Sequence, residues 1–250
     1  MNGERLHCFV FHAERLNRDP VWERTLRVLD ELEAAGGRGT MFVHPYEALQ
    51  AGFDLSPRIA ELLARGHEIA QHTHFYAPKD PGDTSKPPSD TSPENVRRCL
   101  DRDRTELIRC GAHPRGFTSG QWAIDDTASA WLAENGFLYD CSYRSFDLRY
   151  ENPAAARGGA LLPVVAGSVV RLPTTVTLRD AAAGMRRRAG VVKLGDLRYE
   201  LVYAHDYDLV LPMREFASRR TIKTWNRRPG RWVTAAEVAE IARDRLERSE

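Results

Sequence analysis

The stretch GHEIAQHTHFY, residues 66–76, joins the pattern of a buried strand to two histidines that stand two positions apart. Gly66 ends a preceding helical pattern, and the short run HEIAQ (67–71) predicts a strand. Because side chains alternate along an extended chain, His72 and His74 are expected to project to the same side. The stretch therefore predicts a strand that presents two imidazoles at its end.

Strand-like and helix-like segments alternate along the rest of the chain. Six more segments have the composition of short buried strands: RLHCFVF (5–11), GTMFVHP (39–45), RGFTS (115–119), FLYDCS (137–142), SVVRLP (168–173) and YELVYAH (199–205). Helices are predicted at PVWERTLRVLDELEAAGG (20–37), after a Ser56 cap, from Ser92 to about Cys110, at DTASAWLAEN (126–135) after an Asp125 cap, and at TAAEVAEIARDRL (234–246) with a Thr234–Glu237 capping box. The alternation predicts an α/β fold in one domain over residues 1–250. Its parallel sheet would be closed or nearly closed into a barrel, with the chemistry at the carboxyl ends of the strands.

Composition narrows the classes of function. The 250 residues carry 36 Lys and Arg against 35 Asp and Glu, a net charge of +1 that gives no reason to expect a nucleic acid or a membrane surface as partner. No apolar run approaches 18 residues, and MNGERLHCFVF at the start lacks the form of a signal peptide, so a cytoplasmic protein is predicted. The four scattered cysteines suit reduced, buried thiols.

Histidines gather at the predicted strand ends. Five of the eight lie at or just past such an end: His12, His44, His72, His74 and His205. A lone histidine in this position is usually a hydrogen-bonded structural residue, but five at one rim favour a shared site. A zinc-type site uses two or three imidazoles and a carboxylate, and Glu14 is expected on the same side as His12. The pattern therefore favours a divalent-metal site.

The order of these segments resembles the polysaccharide deacetylase family, the NodB-homology domain of carbohydrate esterase family 4. GTMFVHP is similar to its "TFFV" segment and RGHEIAQHTH (65–74) to its "GHEI…H" segment. GFTSGQWAIDDTASAWLAENGFLYDCS (116–142) is similar to its long third motif, and RLP (171–173) and VYAHDYDL (202–209) to its late strands. The resemblance implies a distorted (β/α) barrel of about seven strands, a divalent metal and hydrolysis of an N-acetyl or similar amide by metal-activated water. Zinc is the first expectation for the metal, with cobalt, manganese or nickel as alternatives.

The resemblance also implies roles for individual residues. Glu14 falls where the family has a metal-binding carboxylate, and His72 falls on its first metal-binding histidine. His205 falls on the late-strand histidine, the general acid that protonates the leaving amine. His74 is the nearest substitute for the family's second metal-binding histidine, whose place Tyr76 occupies. We therefore predict Glu14, His72 and His74 as metal ligands and His205 as a catalytic residue.

Two further positions depart from the family pattern together. His12 stands where the family has its basic Asp, and Thr118 stands where it has the Arg that orients that Asp. Replacing both the Asp and the Arg avoids leaving one buried charge without its partner. An imidazole is a competent base at neutral pH. His12 is therefore predicted as the catalytic base. Alternatively His12 is a third imidazole ligand and Glu14 is the base, or the site has decayed and binds nothing.

The predicted substrate is a small molecule or saccharide, such as an acetylated amino sugar. Trp122, Tyr76 and Asp206 lie beside the expected site in the sequence and are predicted to contact substrate, although Trp122 is as readily a core residue. Two alternatives remain open. One is a hydrolase of another amide, such as a cyclic imide, ureide or formamide, on the same fold. The other is a non-catalytic carbohydrate-binding relative.

Overall fold

The computed structural model describes residues 5–79, 85, 87–122, 124–144, 162–178 and 191–248. Its strands are β1 (Arg5–Ala13), β2 (Thr40–Val43), β3 (Glu68–Thr73), β4 (Gly116–Ser119), β5 (Tyr139–Arg144), β6 (Val164–Ala166), β7 (Val169–Thr174), β8 (Val176–Thr177), β9 (Val192–Leu194), β10 (Leu197–His205) and β11 (Arg231–Val233). Its helices are α1 (Asp19–Glu33), α2 (Tyr46–Gln50), α3 (Ser56–Ala64), α4 (Pro93–Arg109), α5 (Asp126–Glu134), α6 (Pro212–Trp225) and α7 (Ala235–Glu247).

The described strands form one sheet, in the order β6–β7–β5–β4–β3–β2–β1–β10–β8. Neighbours from β7 to β8 along this path pair in parallel, β6 pairs antiparallel with β7, and β11 and β9 add to β1 and β10. All seven predicted strands are present, and the fold is the α/β half-barrel expected of a distorted barrel. Strand β3 runs two residues beyond its predicted end, so His72 lies inside the strand rather than after it.

Local sequence signals explain where helices α5 and α7 begin. The Asp125 carboxylate accepts the backbone N–H of Ala128, and Thr234 and Glu237 form the predicted capping box. The predicted Ser56 cap is wrong. Leu55 occupies the cap position of α3, and both the backbone N–H and the hydroxyl of Ser56 donate to Asp54. Helix α6 was not predicted, and no described helix is long and apolar enough to cross a membrane.

The amino-terminal end of the sheet is closed by the start of helix α7. The backbone N–H of Ala235 donates to the Thr40 hydroxyl at 2.8 Å, and that of Ala236 donates to the Glu68 carboxylate at 3.2 Å. The Tyr139 hydroxyl donates to the other oxygen of Glu68 at 2.8 Å. These bonds satisfy buried polar groups at one end of the half-barrel, so the site lies at the opposite, carboxyl end.

Strand register places the predicted site residues at two levels of that carboxyl end. His12 of β1 pairs with His205 of β10 on one side and with Phe42 of β2 on the other. One level higher, His72 of β3 pairs with Thr118 of β4. Since paired residues of parallel strands project to the same face, these side chains lie on one inner surface. The four cysteines are free and buried, as the sequence predicts.

Candidate metal centre

Three donor atoms meet where β1 and β3 end. Glu14 follows β1, His72 is the penultimate residue of β3, and His74 follows that strand directly. One ligand atom from each lies within 4.8 Å of the other two. A Glu14 carboxylate oxygen lies 3.4 Å from Nε2 of His72 and 3.5 Å from Nε2 of His74. The structure thus brings all three predicted ligands together.

The orientation of His72 leaves one ring nitrogen for a ligand. Its Nδ1–H donates to the backbone carbonyl of Thr118 at 2.9 Å, and the residue is only 1% exposed. This bond fixes the orientation of the ring, so Nε2 points towards Glu14 and is the nitrogen available to a cation. Metal-binding histidines commonly donate their other ring N–H in this way.

His74 follows β3, and neighbouring side chains lie against its ring. The Tyr76 ring stacks on it with centroids 5.1 Å apart and planes 15° apart. The His44 ring lies on it at 4.9 Å. On another side, Gly120 leaves the space that the imidazole fills. Tyr76 therefore supports the ring of His74, which lies beside Glu14.

The charge state of Glu14 suits a cation. Burial acts to raise the pKa of this carboxyl group, but hydrogen bonds and positive charge at His72 and His74 outweigh it. The pKa of Glu14 therefore lies well below its usual range. The carboxylate stays ionised in a partly buried pocket of imidazoles, which is the setting in which a divalent cation binds.

His12 lies below these three residues, at the centre of the histidine cluster. Its ring is 4.9 Å from that of His72 and 5.0 Å from that of His205, and the residue is 2% exposed. Tyr203 and Trp122 pack against its other sides at 5.4 and 5.5 Å. Among the residues that the structure describes, the group of donors within 4.8 Å does not include His12.

His205 is held by a carboxylate that sequence analysis did not assign a role. Nδ1 of His205 lies 3.4 Å from Asp208, and its backbone N–H donates to the same oxygen at 3.3 Å. The Tyr207 ring stacks on the imidazole with centroids 4.5 Å apart. Despite burial, the hydrogen bond and charge of His205 hold the pKa of Asp208 below its usual value. An ionised Asp208 therefore orients the imidazole.

The position of Asp206 argues against the predicted substrate contact. Asp206 is fully buried, and its carboxylate accepts the backbone N–H groups of Arg15 at 2.5 Å and Tyr207 at 2.7 Å. Burial, with the nearby Glu14 charge, raises the pKa of Asp206 to about 7. Since its oxygen atoms bond to the backbone on both sides of the site, Asp206 ties the end of β10 to the end of β1.

Of the two roles considered for Trp122, substrate contact and core packing, the structure favours core packing. The residue is 8% exposed and packs on Tyr203 at 5.3 Å as well as on His12. It ends a short 3₁₀ turn (Gly120–Trp122) in which Gln121 and Trp122 both have positive φ, at 55° and 60°. Such backbone is costly for residues other than glycine and is typical of functional sites. Here it places the indole over the His12 ring.

Three residues around the site were not predicted from the sequence. Tyr203 packs on His12, Asp208 contacts His205, and Asp103 of helix α4 lies 3.9 Å from Nε2 of His44. Asp208 and Tyr203 lie in the segment VYAHDYDL, so the sequence could have suggested a role for them in the site. Asp103 lies about thirty residues from the nearest proposed metal ligand, in a charged run typical of a solvated helix face. Nothing in that run indicates a residue of the site.

The donor set fits a divalent metal ion. Two imidazole nitrogens and one carboxylate oxygen are the protein ligands of many catalytic zinc sites, with a further position left for water or substrate. The fixed orientation of the His72 ring and the ionised Glu14 meet the same requirement. The donor set is compatible with divalent ions other than zinc, because imidazole also suits nickel and carboxylate also suits manganese.

Several solved structures share this fold at low sequence identity. A protein from Mycobacterium smegmatis assigned as a polysaccharide deacetylase is 20% identical, with a TM-score of 0.65 over 98% of this chain and 92% of that one. The Puue allantoinase is 15% identical, with a TM-score of 0.60 over 96% and 90%. A family 4 acetyl xylan esterase from Clostridium thermocellum, solved with a cobalt ion, is 18% identical, with a TM-score of 0.56 over 94% and 91%.

These likenesses show the fold, which is the one that deacetylases and esterases of this kind share. No protein-family model matches the chain. No curated protein matches it either. The residues of the site, rather than sequence similarity, therefore carry the functional argument.

Proposed function

We propose that this chain is a metal-dependent hydrolase of a C–N bond and, more narrowly, an N-deacetylase of an acetylated amino sugar or a related small molecule. One observation carries the proposal. A carboxylate and two imidazoles offer ligand atoms within 4.8 Å of one another at the carboxyl end of a parallel sheet. The buried imidazole of His12 lies against His72, and the partly buried imidazole of His205 lies against His12.

Glu14, His72 and His74 are the residues that would hold the cation. When bound, a divalent cation polarises a substrate carbonyl and makes water a stronger nucleophile at neutral pH. Zinc is the first expectation, and cobalt, manganese and nickel are alternatives. The esterase structure with a cobalt ion supports a cation on this fold.

His12 is the proposed base. It lies at the floor of the site, next to His72 but apart from the three-donor group. There its imidazole takes a proton from the water molecule that attacks the carbonyl carbon. Thr118 carries no charge and is fully buried, so this residue adds no positive charge to the region. His12 and Thr118 together thereby replace the charged Asp and Arg of the deacetylase pattern with neutral groups.

His205 is the proposed acid. It lies on the other side of His12 from His72, and Asp208 fixes its ring. As the C–N bond breaks, its imidazolium gives a proton to the departing nitrogen, which leaves as an amine. The acyl carbon leaves as a carboxylic acid, so one water molecule is consumed for each bond cleaved.

Aromatic rings line the mouth of the site. Tyr46 and Tyr76 pack with centroids 5.4 Å apart beside His74, and Tyr207 covers His205. Aromatic faces suit sugar rings, which supports a saccharide or another small molecule as substrate. We assign the substrate contact predicted at Tyr76 to this rim, while Trp122 contributes chiefly by packing on His12.

A second candidate is hydrolysis of another amide, such as a cyclic imide, ureide or formamide. Two observations favour it. An allantoinase shares the fold over 96% of this chain. The residues at His12 and Tyr76 also depart from the pattern of the saccharide deacetylases. The same metal, base and acid would act, and only the substrate would differ.

The test is a hydrolysis assay on zinc- and cobalt-loaded protein. The substrates are N-acetylglucosamine and its short oligomers, allantoin, an N-formyl amine and acetyl xylan, with released acid and amine as readouts. Release of acetate and free amine from an acetylated sugar is the expected result. Hydrolysis of allantoin or the formamide alone supports the second candidate, and activity only on the ester contradicts both. Saccharide binding without turnover identifies a non-catalytic relative.

A further inference from the structure

We propose that Asp103, on helix α4 behind the sheet, is a positioning residue for the metal centre, acting through Thr73 and His44 on the ligand segment His72–His74. This inference rests on the proposed function, because that segment is taken to carry two of the metal ligands. It goes beyond it by assigning a role to a carboxylate that touches neither the proposed metal nor the substrate.

The first link runs through Thr73, which stands between the two ligands. Since side chains alternate along β3, Thr73 faces helix α4 while His72 faces the site. The side chain of Gln71 donates to the Thr73 hydroxyl at 3.1 Å and to the Leu100 carbonyl of α4 at 2.9 Å. The Thr73 hydroxyl is therefore free to give its own proton to Asp103, and this interaction lowers the pKa of that carboxyl group against the larger effect of burial.

The second link runs through His44. Nε2 of His44 lies 3.9 Å from Oδ2 of Asp103, and both side chains are almost fully buried. In the part of the chain that the structure describes, neither of these two atoms has a hydrogen-bond partner. Nε2 of His44 and Oδ2 of Asp103 therefore face each other in the interior without another hydrogen bond. The other side of the His44 ring lies against His74, with centroids 4.9 Å apart.

Asp103 itself is rigidly held. It is 0% exposed, and Nε of Arg102 donates to its Oδ1 at 2.7 Å. The Arg102 guanidinium in turn lies over the Tyr46 ring, 4.8 Å from its centroid, and Tyr46 stacks on His44. A buried carboxylate is costly unless it is fully paired. One placed behind a ligand segment, with an oxygen aimed at a side chain of the site, is consistent with a positioning role.

The need for such support follows from the position of His74. Strand β3 ends at Thr73, and His74 follows it directly. The rings of His44 and Tyr76 lie against its imidazole. Asp103 fixes the backbone on one side through Thr73 and the ring on the other through His44, so its loss should loosen His74 more than His72.

The test compares the metal affinity of Asp103 variants. Zinc affinity is measured by competition with a chromophoric chelator, and the geometry of the centre by the visible spectrum of cobalt-loaded protein. Asp103→Ala should weaken zinc binding by about tenfold or more, as loss of groups that orient ligands typically does, and should alter the cobalt spectrum. Asp103→Asn should rescue part of the affinity, because its amide oxygen still accepts from Thr73.

Asp101→Asn is the matched control. Asp101 lies on the same helix, but its carboxylate accepts the indole N–H of Trp131. This variant should keep wild-type affinity. If Asp103→Ala does not fold, Thr73→Val and His44→Phe each break one link and should each weaken zinc binding. Wild-type affinity and spectrum in Asp103→Ala, or in both single-link variants, overturn the role of Asp103. Absence of binding by the wild type overturns the metal centre itself and this proposal with it.

Discussion

The imidazole of His74 lies directly against the α-carbon of Gly120, so that a β-carbon at residue 120 would stand 2.2 Å from Nδ1 of the ring. Gly120 begins the short turn after β4, and its φ is not in the left-handed region. Space for the ring, rather than backbone conformation, is therefore what requires glycine here. The relationship couples the turn after β4 to a proposed ligand after β3.

Gly120→Ala should displace the His74 ring and weaken metal binding. Overpacking of this kind typically costs about 1–3 kcal/mol of stability. We expect both the affinity for zinc and the free energy of unfolding of the apo protein to fall. The His74→Ala background is the control, because removal of the imidazole opens the same space. If Gly120→Ala costs as much there as in the wild type, the contact with His74 is not the cause.

His12→Ala should abolish turnover while sparing metal binding. A positioned base contributes about 10²–10⁴-fold to rate, and His12 lies outside the three-donor group. The value of kcat on the substrate identified in the hydrolysis assay should fall by that range, with metal content near one per chain. Loss of metal in this variant would instead make His12 a ligand. His113→Ala, at an exposed position, controls for loss of an imidazole.

Asp208→Asn should lower kcat more than it raises KM. The carboxylate holds Nδ1 of His205 at 3.4 Å, and an amide holds the ring less firmly and in either of two orientations. We expect a loss of about tenfold or more, part of the 10²–10⁴-fold that a positioned acid supplies. Steady-state kinetics check this, with metal content as an internal control. An unchanged kcat would remove Asp208 from the proposed machinery.

Asp140 should make stability depend on pH. This β5 carboxyl group is 2% exposed, and burial raises its pKa to about 6, although hydrogen bonds from Ser142 act in the opposite direction. A raised pKa in the folded state means that the stabilising contribution is fully present below the unfolded value and is lost as pH rises through about 6. Relative to Asp140→Asn, the wild type should therefore lose about 2–3 kcal/mol between pH 4 and pH 7.

Chemical denaturation at several pH values measures this difference. The asparagine variant keeps an oxygen that accepts the Ser142 N–H, so the comparison isolates the charge. Asp126→Asn, at an exposed position, controls for removal of one carboxylate. A difference between wild type and Asp140→Asn that stays constant from pH 4 to pH 7 would contradict the expected ionisation.

The sequence predicts the long strands because their apolar runs are buried on both faces of a parallel sheet. The same periodicity of two places His72 and His74 on one side, and the structure brings them together with Glu14. The short strands β6, β8, β9 and β11 were not predicted. Segments of two or three residues are too short to show a period, and partner strands decide whether they form.

Specific side-chain contacts account for the remaining differences. The Ser56 cap failed because the nearby Asp54 side chain binds the Ser56 N–H and hydroxyl. Asp206 looked available beside His205, but its carboxylate bonds to the backbone of Arg15 after β1. Asp103 looked like a solvated helix residue, yet helix α4 turns it towards Thr73 and His44. The residue pattern of one segment does not show which other segment will pack against it, or on which face.

The most direct measurement is X-ray diffraction from zinc-loaded crystals, with data collected above and below the zinc absorption edge. The account predicts one strong anomalous peak at the carboxyl end of β1 and β3, bounded by Glu14, His72 and His74. The peak should be absent from crystals of a His72→Ala/His74→Ala double variant. A wild-type protein without a peak there, or with the ion bound at other residues, would contradict the proposed metal centre.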